Sequence, residues 1–155
     1  MLPKRLIFTK VKNTDCLGSR DSNPYNLRHY DLTNFTMYVN GRQIPSESLS
    51  MKMGHEKTSV RRYVTLFEGS GIHHSNSGLQ ITHDMYINGF FMLLFDLTPE
   101  LAASEGHASP LKSGDIRIDL KIGTALPEAI ICLLYLEYDN SVRTDLARNV
   151  STDFS

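Results

Sequence analysis

Cysteine is scarce in this chain: Cys16 and Cys132 are the two among 155 residues. So few cannot form a disulfide framework or a metal finger. Cys132 lies inside an all-apolar run, where a cysteine reads as a small buried hydrophobe. No apolar stretch approaches the roughly 18 residues of a membrane span, and the opening MLPKRLIF has basic residues without the apolar core of a signal peptide. The expectation is a protein that stays intracellular and meets no membrane, so the sequons Asn34-Phe35-Thr36 and Asn149-Val150-Ser151 read as chance matches. Internal repeats and low-complexity tracts are lacking too. A large charge of one sign is likewise missing, since the net charge is −1. That near-balance hides an asymmetry: residues 1 to 62 carry eleven Lys and Arg against five Asp and Glu, while residues 63 to 155 carry five against twelve. Either the halves cancel by folding together, or a basic edge of one copy meets an acidic edge of the next. The basic residues are scattered and form no Arg-rich tail, so no direct sequence-specific nucleic-acid binding is expected.

Catalytic motifs are equally scarce. His73-His74 is the most suggestive pair among six histidines, yet neighbours in an extended chain point to opposite sides, and no further ligand stands at metal-site spacing. Gly69-Ser70-Gly71 follows a helical pattern, whereas a phosphate-binding loop precedes its helix and carries a lysine. A G-x-S-x-G elbow is absent. Asp115 and Asp119 alternate with Arg117 and Lys121, as a solvated charge ladder does. No catalytic residue, metal ligand or cofactor site is expected, and an enzyme is the weaker class.

What the sequence does contain is strand signals. RLIFTKVKN sets Leu6 and Phe8 on one face and Ile7, Thr9 and Val11 on the other. NFTMYVNGRQI places Phe35, Met37 and Val39 opposite Thr36 and Tyr38, then turns at Asn40-Gly41. Phe90 to Leu97 forms a continuous apolar strand. Ile116, Ile118, Leu120 and Ile122 alternate with charges, giving one dry and one wet face. Ala129 to Leu136 has no wet side, although its short connection to the preceding strand suggests that the two are sheet neighbours. Val60, Tyr63, Val64 and Phe67 have helical spacing, with Thr58 or Ser59 as N-cap and Gly69 or Gly71 as the stop. THDMYINGF and LTPELAA predict two further short helices, capped by Thr82 and Thr98. Long polar loops over 16–28, 45–57, 69–80 and 104–113 suit a chain that crosses between two sheets.

Four phrases in order, NPYNLRHYDLTNFTMYVNG, YINGFFMLLFDLTPEL, SGDIRIDLKIGTALPEAIICLLYLEYDN and RNVSTDF, resemble the C-terminal part of the double jelly-roll major capsid proteins of Maverick/Polinton transposons and adintoviruses. The likeness runs from about Leu2 to Phe154. It implies an all-β fold, an antiparallel two-sheet jelly-roll sandwich with short helices in its loops. Residues 1–155 would be a single domain equivalent to the second roll of a longer protein. It also implies a structural capsid subunit that self-associates, as a trimer, and packs against an N-terminal roll. The runner-up is a host-retained binding module for a carbohydrate, peptide or protein, which a concave pocket lined by Tyr25, His29 or Tyr30 would favour. If Ile130 to Leu136 is covered on both faces, the second cover is a partner or the helix Val60 to Phe67. Phe90, Phe91, Leu94, Ile131, Leu133 and Tyr135 are the candidate interface residues.

Overall fold

The computed structural model describes residues 1–50, 56–72, 76, 78–105, 110 and 112–152. The first strand, β1 (Arg5–Lys12), follows the expected alternation and is central to its sheet. A single helical turn, α1 (Asn13–Cys16), comes next. A long connection then leads to β2 (Leu32–Val39) and β3 (Arg42–Ser50). These two form a hairpin around Asn40 and Gly41, whose φ angles of 52° and 76° are the left-handed values that the dipeptide favours. Helix α2 (Glu56–Ser70) starts earlier than Thr58 or Ser59, so its cap falls outside the described residues. It ends as expected, with Gly71 at φ 72° and its N–H bonded to the Glu68 carbonyl.

Helix α3 (His83–Asn88) is capped by Thr82, whose hydroxyl accepts from the Met85 N–H, and it stops at Gly89. Three strands follow: β4 (Met92–Asp96), β5 (Ile116–Ile122) and β6 (Ile130–Glu137). LTPELAA is not helical. Asp96 accepts from the Thr98 N–H and hydroxyl and from the Ala103 N–H, which ties the segment into turns instead. Two short strands, β7 (Val142–Thr144) and β8 (Val150–Thr152), close the described chain.

The strands make three separate small sheets, ordered β4-β1-β6, β3-β2-β5 and β7-β8, with antiparallel pairing between all the named strands. The fold is therefore mixed α/β, and the all-β two-sheet jelly-roll sandwich is overturned. The physical reason lies in the helices. Leu66 of α2 and Tyr86 of α3 belong to the buried cluster, Tyr63 and Phe67 pack against it, and α2 lies along β4. Helical side chains thus complete a core that a jelly-roll would close with further strands. The resemblance to the capsid family falls with the fold it implied, as does the equivalence to a second roll.

β5 and β6 are not sheet neighbours either. β5 pairs with β2 from Val39↔Ile116 to Leu32↔Ile122, whereas β6 pairs with β1 from Arg5↔Glu137 to Lys12↔Ile130. The chain changes sheet between them, and so their two patterns answer to different surroundings. The core lies between the two three-stranded sheets. Phe35 stacks on Phe95 with ring centroids 5.2 Å apart and meets Phe8 at 5.1 Å.

Candidate interaction surface

β4 and β3 end their sheets on one side of the molecule, where Leu94 and Phe95 share an open groove of about 800 Å³ with Pro45 and Leu49. β6 and β5 therefore end the sheets on the opposite side. That side is open. Ile116, Ile118 and Leu120 of β5 still pack against the core from partly buried positions. β6 contributes no described side chain to that cluster.

The register of β6 on β1 assigns its faces. Cys132, Leu134 and Leu136 align with Lys10, Phe8 and Leu6 on the inner side, and Ile131, Leu133 and Tyr135 align with Val11, Thr9 and Ile7 on the outer side. β1 is buried on both faces, yet one strand further out Leu134 is 50% exposed and Tyr135 is 63% exposed. Leu133 and Leu136 are exposed as well. The expected cover of this run is absent from the described chain. α2, the intra-chain lid suggested by the sequence, packs on β4 instead. Cys132 is also exposed by area, against expectation, although partial burial still pushes its thiol pKa up. A charged cluster fixes the far end of the strand: Lys4 reaches Asp139 at 2.8 Å and Arg5 reaches Glu137 at 2.9 Å.

Beyond β6 the chain leaves the body. Every residue from Asn140 to Thr152 is exposed, including Val142, Leu146 and Val150. The β7–β8 hairpin is nevertheless ordered. Asp145 accepts from the Asn149 backbone N–H and side-chain amide, both at 2.8 Å, and Arg148 occupies φ 65° in the turn. This is a preformed, exposed hairpin that follows an uncovered apolar strand in the chain.

The six residues singled out from sequence divide between core and surface. Ile131, Leu133 and Tyr135 share the outer face of β6, with Leu133 and Tyr135 exposed. Phe91 and Leu94 are core residues, Phe91 being 1% exposed, and Phe90 lies at the surface just ahead of β4. The sequence reading missed Leu134, Leu136 and Val142, although the all-apolar run had marked the first two, and it had named Val150 as an anchor of a terminal strand or arm.

A second concave feature lies around the start of the 16–31 connection. Lys12, Asp15, Asn26, His29, Tyr30 and Glu128 are among the residues around a polar cleft of about 730 Å³. His29 and Tyr30 are thus brought together as the binding alternative required, whereas Tyr25, at 73% exposed, is not part of the wall. Backbone bonds hold this loop in place: Leu27 N–H to Gly89 O, Phe91 N–H to Leu27 O, and Arg28 N–H to Lys10 O. Tyr30 and Asp31 take φ angles of 40° and 46°, an uncommon conformation for residues with side chains. Behind them Lys10 is buried, its Nζ donating to the His29 carbonyl and lying 5.9 Å from the Tyr30 ring centroid. Burial, together with the charges of Arg62 and Lys10, lowers the His29 pKa. His29 Nδ1 accepts from the Asp31 N–H, which leaves the proton of the neutral ring on Nε2.

His73 and His74 lie outside the described residues. Among the described residues no group of three or more His, Cys, Asp or Glu is placed to hold a metal ion, and no helix is long and apolar enough to cross a membrane.

Comparison with known proteins gives one curated relative, an uncharacterised protein of Caenorhabditis elegans, 27% identical over 157 aligned positions. The match takes in 98% of this chain and 36% of the relative, so the chain spans about a third of the length of the protein it resembles. No family model matches, and no solved structure does. The relative's name states no activity, and nothing in the fold or the comparison supports a jelly-roll capsid subunit. That functional reading is withdrawn with the fold.

Proposed function

We propose that this chain is a protein-association module that acts by binding, and that its partner on the open side is a second copy of itself. The observation that carries the reading is the exposed run Leu133 to Leu136 on a strand paired along one edge only. Such a strand offers unpaired backbone N–H and C=O groups as well as apolar side chains, and uncovered it is an association hazard. The same chain carries a matching element. The β7–β8 hairpin has its own exposed Val142 and Val150, and its fixed turn lowers the cost of ordering it on contact.

The arm of residues 141 to 152 carries two Arg against one Asp. The acidic groups flanking β6 are already paired within the chain, Glu128 with Lys12, Glu137 with Arg5 and Asp139 with Lys4, so apolar contact and strand pairing carry the exchange between copies. Covering a Leu fully contributes about 1.5–3 kcal/mol, so several half-exposed residues supply enough to offset part of the cost of association.

Mass measured by sedimentation or light scattering over a concentration series tests the proposal. The expected result is association beyond one copy, weakened both by Leu134→Lys on the strand and by Val142→Asp with Val150→Asp on the arm. A strict monomer at high concentration rejects self-association. An oligomer indifferent to the arm substitutions rejects the exchanged hairpin as the contact.

A further inference from the structure

The polar cleft is separate from the open β6 side and rests on different residues. We infer that it binds an organic cation, a single ammonium or guanidinium group, through Asp15.

Asp15 is 7% exposed and lies in the cleft wall. Among the described residues its one side-chain hydrogen bond is a long contact of 3.4 Å from the neighbouring Thr14 hydroxyl. A carboxylate accepts several hydrogen bonds, so one this poorly supplied by its own chain is suited to an incoming donor. The Ser22 hydroxyl, also in the wall, is buried with no hydrogen-bond partner.

The lining of the cleft carries one net negative charge: Lys12 is bound to Glu128 at 2.6 Å, His29 is favoured in its neutral form, and Arg28, Asp15 and Asp21 remain. Behind the wall the buried Lys10 and Arg62 offset Asp31 and leave the surroundings near neutral, so Asp15 itself, the buried acid of the wall, sets the sign of the ligand. The carboxylates are not gathered as a metal site is among the described residues. An ammonium or guanidinium group, by contrast, carries its own N–H donors and can meet Asp15 directly. Pro127 and Ile87 supply apolar wall for the carbon stem of such a ligand.

The test uses the whole chain and small probes: the N-acetyl methylamides of lysine, arginine, norleucine and aspartate, and putrescine, each followed by NMR shifts of the residue 15 to 30 amides. Lysine or arginine probes are expected to bind and norleucine and aspartate probes to fail. Asp15→Asn should weaken binding about tenfold or more, the scale of a lost charge-assisted bond. Where Asp15→Asn fails to fold, the wild-type chain still decides, because the lysine or arginine probe must bind where the norleucine and aspartate probes do not. Putrescine binding as well as the lysine probe assigns the site to free amines; binding by the amino-acid probes alone assigns it to a basic side chain of a partner. Norleucine binding equally well, preference for aspartate, or no cationic probe binding at all overturns the inference.

Discussion

Phe35 is fully buried between the Phe8 and Phe95 rings and, with Leu32 and Met37, joins the two larger sheets in one core. Replacing it by Ala should cost about 3–5 kcal/mol, read from denaturant unfolding, because the cavity opens at the only aromatic stack between β1, β2 and β4 among the described residues. Lys10 makes a second residue-level prediction. Burial lowers its pKa to about 8. The unfolded chain then holds that proton more firmly than the folded one between about pH 8 and 10.4, so this group's contribution to stability rises with pH across the window. Below pH 8 both states are protonated and the penalty for burying the charge is constant. Unfolding of Lys10→Met should lack this rise, and the stability difference between wild type and variant should therefore move in favour of wild type as pH climbs from 8 toward 10. A difference that is flat with pH would show that Lys10 titrates normally.

Elements show where sequence patterning succeeds and where it stops. The alternation in β1, β2 and β5 was legible because most of their apolar residues face a packed layer, the exposed Ile122 at the end of β5 excepted, and Asn40-Gly41 and Thr82 were legible because their local chemistry works without tertiary help. Thr98-Pro99 failed as a helix start because Asp96, a residue outside the pattern, draws its neighbours into turns. β6 was legible as a strand, but not as an exposed one, because an all-apolar run has no wet face to reveal what covers it. The cleft was named only in part. His29 and Tyr30 stood out by type, whereas Asp15 becomes notable only once burial shows how few bonds it receives. Helix α2 adds a prediction of its own. A Cβ at Gly69 would lie 2.8 Å from the Leu94 backbone carbonyl carbon and oxygen. Gly69→Ala should therefore lower the melting temperature, with about 1–3 kcal/mol of overpacking exceeding the roughly 1 kcal/mol that Ala gains in a helix.

At the scale of the whole molecule, protection is uneven. β1 and β2 are central strands with neighbours on both sides, β6 is paired on one side, and the arm is exposed throughout. Hydrogen exchange at low concentration should be slowest in residues 5–12 and 32–39 and fast in 140–152. At concentrations where copies associate, residues 130–152 should become slower while the central strands stay unchanged. Arm amides equally fast at both concentrations would show that the hairpin takes no part in the contact.

The strand order also bears on how the chain matures at the ribosome. β1 is made well ahead of both its partners: β4 begins at Met92 and β6 at Ile130. Leu6, Phe8 and Val11, fully sequestered at the end, must therefore wait in the nascent polypeptide until those partners have emerged. A strand that cannot close until its distant neighbours are made is a natural client for a chaperone.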